Sequence, residues 1–126
     1  MNPSGNLESF VTFTRPPPKA LFESTPISDR DSVFIAYIFR VSSPGEVHTA
    51  VTQLRKVLHA SKPATHEMHA YRTMSLRAGR DGLRGPEDFE LRIGAEDDGE
   101  KYGAAKILKV MESEGIIDAV VVCSRW

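Results

Sequence analysis

The chain has 126 residues, of which 40% are hydrophobic, and a formal net charge of −1 at pH 7. We therefore expect one domain with a modest core and no global field that would draw it to nucleic acid or an anionic membrane. The single cysteine, Cys123, excludes an internal disulfide framework and is typical of a reducing compartment. No apolar run reaches transmembrane length, and the first residues lack the regions of a signal peptide. A cytoplasmic protein is expected, with a nuclear location as the alternative.

Residues 1–29 are predicted to form an N-terminal extension. The alternation in Phe10–Thr14 favours an edge strand. Pro16–Pro18 predicts an extended polyproline arm. Leu21–Ser24 then predicts a short strand that ends at the Pro26 turn.

The strongest predicted strand is Ser32–Val41, whose nearly unbroken apolar run indicates that both faces are at least partly covered. Ser43 and Glu46 form a capping box, with Pro44 at the first helical position. The helix that follows ends at Lys62-Pro63. Its apolar stripe consists of Val47, Ala50, Val51, Leu54 and Leu58.

Thr65–Met74 is predicted as a strand that carries two histidines. Alternation places His66 and Arg72 on one face and His69 on the other, together with Glu67 and Tyr71. One zinc ion could not bind His66 and His69 without a bulge, and no cysteine pair supplies further ligands. We therefore predict no metal site.

Leu76–Asp88 is predicted to be a glycine-rich loop. Its arginines, Arg77, Arg80 and Arg84, indicate either a mobile solvated connection or a small phosphate-contacting arm. No aromatic residue lies between them to stack on a base. A further strand follows, with Phe89, Leu91 and Ile93 alternating with charged residues.

An acidic stretch precedes the second predicted helix. Glu96, Asp97, Asp98 and Glu100 fall within five residues and are interrupted only by Gly99. Negative charge is favoured at a helix N-terminus, so the acids indicate either a capped helix or a recognition site formed with the histidine-bearing strand. After Gly115, a helix-ending residue, Ile116–Cys123 predicts a fully buried last strand, with Cys123 as a core thiol.

The predicted order of elements favours an α/β (α+β) two-layer sandwich, a mixed sheet with two helices on one face. Three sequence signatures are missing: the glycine-rich dinucleotide turn, the phosphate loop and the nucleophile elbow. No cofactor is predicted.

Four blocks in order carry a family resemblance: Ser32–Ala36, Ala64–Arg72, Asp97–Glu100 with Ala105–Leu108, and Val120–Trp126. Together they resemble the N-terminal domain of the IMPACT family, also called uncharacterised protein family 0029, which has bacterial YigZ-like members. The resemblance covers residues 30–126 and implies a fold similar to the second domain of ribosomal protein S5.

The resemblance also implies a function. Eukaryotic members of the family restrain the general amino-acid control kinase by competing for its large ribosome-associated activator, a role that leans on a separate RWD domain. This sequence departs from the family pattern at two places. Glu67 stands where Asn is usual, and the start of the second helix, Lys101–Ala104, is less rich in glycine.

The leading hypothesis is a non-enzymatic protein-binding module in translational or amino-acid stress control, since no nucleophile–base constellation is recognisable. One alternative is RNA or ribosome contact through Arg77, Arg80 and Arg84. The other is a hydrolase that uses His66 with the acids. The predicted binding patch, whose acids would meet a basic partner, consists of His66, Arg72, Asp97, Asp98, Glu100 and Arg125.

A last expectation concerns the segment Ile116–Trp126. In the family, the residues that match Ser124–Trp126 continue into a glycine-rich loop and an amphipathic helix, whereas this sequence stops at Trp126. An apolar strand is stable only when covered. We expect a second protein chain, in a homodimer or a larger complex, to cover this surface.

Overall fold

The computed structural model describes residues 20–126, so the predicted strand Phe10–Thr14 and the arm Pro16–Pro18 lie outside the described residues. No helix in this part of the chain has the length and apolarity that a bilayer crossing requires. A π-helical turn, Leu54–Leu58, continues the first helix, and a 3-10 turn, Pro86–Asp88, precedes the fifth strand. In chain order the main elements are β1 (Ala20–Glu23), β2 (Ile27–Asp29), β3 (Ser32–Arg40), α1 (Pro44–Gln53), β4 (His66–Leu76), β5 (Phe89–Glu96), α2 (Gly103–Ser113) and β6 (Ala119–Arg125).

The strands form one sheet in the order β1-β3-β6-β4-β5, with β2 also paired to β3. Every pairing between the described strands is antiparallel, although the prediction of a mixed sheet allowed parallel neighbours. The last strand, β6, lies at the centre, where Val122 pairs with Tyr37 on one side and His69 on the other. The α+β class predicted from the sequence is confirmed.

The two helices lie on opposite faces of the sheet, which corrects the expectation that both share one face. On one face, α1 packs on Tyr37 and Phe39 of β3 and on Val120 and Val122 of β6. On the other face, α2 packs on the intervening residues of the same strands and on β4. These residues are Ile38, Ala70, Ala119 and Val121. The physical reason is that β3 and β6 are apolar at consecutive positions. Both of their faces therefore have to be covered.

The start of α1 follows the prediction, but its end does not. The Ser43 hydroxyl accepts the Glu46 amide hydrogen at 3.3 Å, as an N-cap should. At the other end the His59 amide donates to the Leu54 carbonyl at 2.9 Å, so the last turn is the wider π turn. This turn rotates Leu58 away from the predicted apolar stripe, and its side chain is exposed.

Each helix leaves part of its own face open. Beside α1, over β4 and β5, lies a polar cleft of about 550 Å³. Beside α2, over β3 and β6, lies an apolar groove of about 270 Å³. The polar cleft is lined by Pro44, Val47, His48, Val51, Thr52, Arg55, Lys56, His69, Tyr71, Glu96 and Asp98. The apolar groove is lined by Ala36, Ile38, Ile107, Val110, Met111, Ile116, Val121 and Cys123.

The predicted full burial of the last strand is confirmed only in part, because the strand begins at Ala119 and Ile117 of the predicted range is 46% exposed. Val120 and Val122 are fully buried under α1, and Ala119 is buried near α2. Val121 and Cys123 are partly exposed because they line the apolar groove.

Candidate functional site

A buried polar network surrounds the carboxylate of Glu67, whose side chain is 3% exposed. One oxygen contacts His59 Nδ1 and accepts the Ser124 hydroxyl hydrogen at 3.0 Å. The other oxygen lies 3.2 Å from Arg55 Nε. With its Nδ1 hydrogen directed at Glu67, the His59 ring accepts the Tyr37 hydroxyl hydrogen at Nε2, at 2.8 Å. Each polar group of the network thus has a partner inside the protein.

The π turn Leu54–Leu58 places the basic side chains of this network. Arg55 and His59 are four residues apart, so they project from the same side of the helix end and both reach Glu67. The indole of Trp126 packs edge-on against the His59 ring at 4.9 Å and donates Nε1–H to the Lys62 carbonyl at 3.0 Å. The end of β6 is thereby tied to the end of α1.

This network contains a serine, a histidine and a carboxylate, but its geometry differs from that of a hydrolase triad. The Ser124 hydroxyl bonds to Glu67 and not to the imidazole, and His59 Nε2 faces the Tyr37 hydroxyl. A nucleophile needs a base within hydrogen-bond reach of its own hydrogen. Burial, followed by the negative charges of Glu23 and Glu67, raises the pKa of Tyr37 to about 12. The phenol therefore stays protonated and cannot act as a base at neutral pH.

No pattern in the sequence predicted this network. Alternation placed Glu67 on one strand face with His69 and Tyr71, and the family pattern marked it as a departure, but neither gave it a partner such as His59. One signal was available: alternation puts Glu67 on the same strand face as Tyr71, and a carboxylate among buried side chains requires partners.

The structure brings five of the six residues of the predicted binding patch together. His66 and Arg125 are cross-strand partners, and both approach Glu100. Arg125 Nη1 lies 2.6 Å from Glu100 Oε1, and His66 Nε2 lies 4.0 Å from the same oxygen. His66 Nδ1 donates to the Asp98 carbonyl at 2.7 Å.

The two aspartates of the acidic loop bind within the chain. Asp97 Oδ1 accepts the Ala104 amide hydrogen at 2.9 Å, in the first turn of α2. Asp98 Oδ2 accepts the Glu67 amide hydrogen at 2.8 Å and lies 3.4 Å from Arg55 Nη2. These bonds support the interpretation of the acids as a helix cap and loop anchor.

Arg72, the sixth predicted residue, lies elsewhere. Its Nη1 donates to the Ile116 carbonyl at 2.8 Å, just beyond the C-terminal end of α2. A guanidinium is favoured there, near the negative end of the helix dipole. Because Arg72 follows His66 by six positions on β4, about 20 Å of strand separates them.

The loop before β5 is organised by the buried carboxylate of Asp88. Arg80 Nη1 lies 2.7 Å from Asp88 Oδ1, and the amides of Gly82 and Arg84 donate to Oδ2 at 3.1 Å. The Arg80 guanidinium, aided by these amides against the effect of burial, lowers the pKa of Asp88. Arg77 is paired with Glu90 at 3.3 Å. Two of the three arginines proposed for RNA contact are therefore already paired.

The polar cleft also contains two side chains, Tyr71 and His69, whose arrangement the sequence did not predict. The Tyr71 ring lies close against its cross-strand partner Gly94, where a Cβ would come within 2.2 Å of the ring. Beside it, His69 Nδ1 is buried with no hydrogen-bond partner among residues 20–126. Burial is the main cause that lowers the pKa of His69. His66 and His69 lie on opposite faces of the sheet, as the alternation predicts.

Within residues 20–126 no group of three or more potential metal ligands comes together. Residues 20–126 thus form an α+β domain with a buried polar network around Glu67, a polar cleft beside α1 and an apolar groove beside α2. The chain matches the model of the Impact N-terminal domain over residues 30–126, and it belongs to that family.

Curated relatives agree with the family assignment. Protein IMPACT of Homo sapiens is 31% identical over 102 residues, which cover 80% of this chain and 28% of the relative. Protein IMPACT of Mus musculus is 32% identical over 111 residues, which cover 87% of this chain and 30% of the relative. The Protein IMPACT homolog of Schizosaccharomyces pombe is 32% identical over 104 residues, which cover 82% of this chain and 33% of the relative. The chain spans about a third or less of these relatives.

A solved structure shares the fold. It is described as the structure of the two-domain translational regulator Yih1, and it superposes with a TM-score of 0.59 at 26% sequence identity. The match covers 90% of this chain and 39% of Yih1.

Proposed function

We propose that this chain is a non-enzymatic protein-binding module that acts within a complex in translational and amino-acid stress control, in the cytoplasm. The observation that carries the proposal is the family match over residues 30–126, together with the likeness to Yih1, which is described as a translational regulator. The partner implied by the family resemblance is the ribosome-associated activator of the general control kinase.

The geometry of the polar residues supports binding over catalysis. The hydrolase alternative requires His66 and a carboxylate within hydrogen-bond reach. The His66 Nε2 to Glu100 Oε1 distance is 4.0 Å, and Glu100 already pairs with Arg125 at 2.6 Å. Asp97 and Asp98 hold backbone amides.

The proposed protein contact is the apolar groove, to which the segment Ile116–Trp126 contributes Ile116, Val121 and Cys123. Its residues contribute no polar surface, and Val110 at its rim is largely exposed. Burying such side chains against a partner is favourable in proportion to the apolar area removed from water. A second, charged contact is proposed at His66, Glu100 and Arg125, which are each about a third exposed.

Co-purification of the tagged chain with the ribosome-associated activator tests the proposal. Val110→Glu places a charge at the groove rim and should abolish recovery of the activator. Lys109→Glu, on an exposed neighbouring position of α2, is the matched control and should retain it. Recovery of an unrelated assembly in place of the activator would overturn the role in translation. Equal recovery with both variants would overturn the groove as the contact.

The unique Cys123 gives a direct readout of the same surface because it lines the groove. Bound activator should slow the reaction of Cys123 with a maleimide by more than about tenfold, since the thiol would then be excluded from solvent. An unchanged labelling rate in the purified complex would place the partner elsewhere.

A further inference from the structure

The strand β5 forms an open edge of the sheet. Its inner side pairs with β4 in an unbroken register from Leu76–Phe89 to His69–Glu96, without a bulge. Its outer side pairs with no strand in the described part of the chain. Proteins usually protect such edges with proline, lysine or a bulge, and the sequence Phe89–Glu96 contains neither residue.

The two faces of β5 differ in chemistry. The register with β4 places Glu90 and Arg92 on the face of the polar cleft. Leu91 and Ile93 point to the other face, beside Met74 and Leu76 of β4. These four apolar side chains are each between 38% and 47% exposed. They form a continuous patch, which we call the edge patch, and patches of this kind mark interaction surfaces.

The pattern of β5 is complementary to itself. In an antiparallel pair with a twofold axis at Leu91, each Glu90 lies opposite the second copy's Arg92, and Phe89 lies opposite the second copy's Ile93. Two opposite-charge pairs then form on one face, while the two edge patches join on the other. Cross-strand pairs of both kinds stabilise a sheet.

The charges also select the register. A pairing centred on Arg92 would place the two Arg92 guanidinium groups directly opposite each other, which is unfavourable. A shift by one residue would place apolar side chains opposite charged ones. Only the pairing centred on Leu91 satisfies both faces. Arg92 is 53% exposed beside Glu90, so its guanidinium has room to meet a second carboxylate.

We propose that a second copy of this chain pairs with β5 about a twofold axis at Leu91, so that one antiparallel sheet continues through both copies. This homodimer surface is separate from the apolar groove, none of whose lining residues lies on β5. It therefore stands independently of the proposed function.

Sedimentation equilibrium of the wild-type chain should show a monomer–dimer equilibrium. Arg92→Glu places two carboxylates opposite each other at both charge pairs of the dimer and should raise the dissociation constant at least about tenfold. Glu90→Arg places two guanidinium groups opposite each other at both charge pairs and should raise the dissociation constant to a similar extent. Circular dichroism and a melting curve show whether each variant is folded, a control that Glu90→Arg needs in particular because Glu90 also pairs with Arg77.

Charge exchange identifies the partner as a second copy. The double variant Glu90→Arg/Arg92→Glu restores both opposite-charge pairs and should recover the dimer. A mixture of the two single variants should form a heterodimer, because one chain then carries two acids and the other two arginines. A strand from another protein would not respond to these exchanges in the same way.

Three results would overturn the proposal. The first is a wild-type chain that remains a monomer up to millimolar concentration. The second is a dimer that Arg92→Glu leaves unweakened. The third is a double variant, folded by circular dichroism, that fails to regain the wild-type dissociation constant.

Discussion

The carboxylate of Glu67 contacts the imidazole of His59 in the interior of the domain, beneath the end of α1. Both side chains are at least about 90% buried, so neither depends on water for its partner. Ser124 and Arg55 complete the shell of the carboxylate, and Tyr37 completes that of the ring. One acidic side chain thus connects β3, β4, β6 and the π turn.

Replacing Glu67 should strongly destabilise the domain. Glu67→Ala leaves the buried His59 and Ser124 groups without an acceptor, and breaking a buried pair in this way typically costs about 3–5 kcal/mol. Urea denaturation followed by circular dichroism measures the loss. Glu112→Ala, an exposed acid on α2, is the control and should change the free energy of unfolding by less than about 0.5 kcal/mol. A Glu67→Ala loss no larger than the control would contradict the role of the network.

The raised pKa of Tyr37 predicts a loss of stability at high pH. Burial raises the folded-state pKa to about 12, above the ordinary value of 10.0. The folded state therefore favours the protonated phenol. This contribution is fully present below pH 10 and is lost as the pH rises towards 12.

Unfolding curves of the wild-type chain and of Tyr37→Phe between pH 8 and pH 12 measure this effect. The stability of the wild type should fall more steeply over the upper part of that range. Parallel slopes for the two proteins would show that Tyr37 titrates normally.

Asp97 is expected to act as a helix cap. Asp97→Ala removes the acceptor of the Ala104 amide and should reduce the free energy of unfolding by about 1 kcal/mol. Asp97→Asn retains an oxygen and should recover most of the loss. If thermal melts show no change while activator recovery falls, Asp97 serves recognition and the cap interpretation is wrong.

Gly94→Ala should destabilise the domain, because there is no room for a side chain at this position. A Cβ at this position would lie 2.2 Å from the Tyr71 ring, so the ring has to move out of the polar cleft. Overpacking of this kind costs about 1–3 kcal/mol. Gly45→Ala is the matched control, because its added Cβ meets only Ser43 Oγ at 3.7 Å. It should be neutral or slightly stabilising in α1, and equal melting temperatures for the two variants would refute the close contact.

Asp88 should stabilise its loop only while it is ionised. Its folded-state pKa is lowered from the ordinary 3.8, first by the Arg80 hydrogen bond. The contribution is therefore present above pH 3.8 and is lost as the pH falls through the lower folded-state value. The protection factors of the Gly82 and Arg84 amides, which are corrected for the pH dependence of intrinsic exchange, should decrease as Asp88 is protonated, and Asp88→Asn should remove this dependence. An Asp88 resonance that titrates at the ordinary pKa would contradict this pairing.

The sequence predicts the elements of this fold well because their signals are local. The capping box at Ser43, the apolar run of β3 and the alternation of β4 each depend on neighbouring residues. The faces of the sheet were harder to assign. When β3 and β6 are apolar at consecutive positions, the pattern shows that both faces are covered, but not which helix covers each.

The candidate site was predictable only in part, because some of its contacts join residues that are far apart in the sequence. His66, Glu100 and Arg125 belong to blocks that the family resemblance singled out, and they do come together. Arg72 was misplaced because its acceptor, the Ile116 carbonyl, is 44 residues away. The position of His59 depends on a π turn, and no residue pattern predicted that turn.

The central position of β6 also determines when the domain can fold during synthesis. Of the described strands it is the last to emerge from the ribosome, yet it separates β3 from β4 and forms pairs with both. Until residues 119–125 are available, β3 with α1 and the β4–β5 hairpin are two halves without a shared core. Nascent chains that end before β6 should therefore bind chaperones and be cleaved readily by proteases, and protection should appear only after Arg125 has been released.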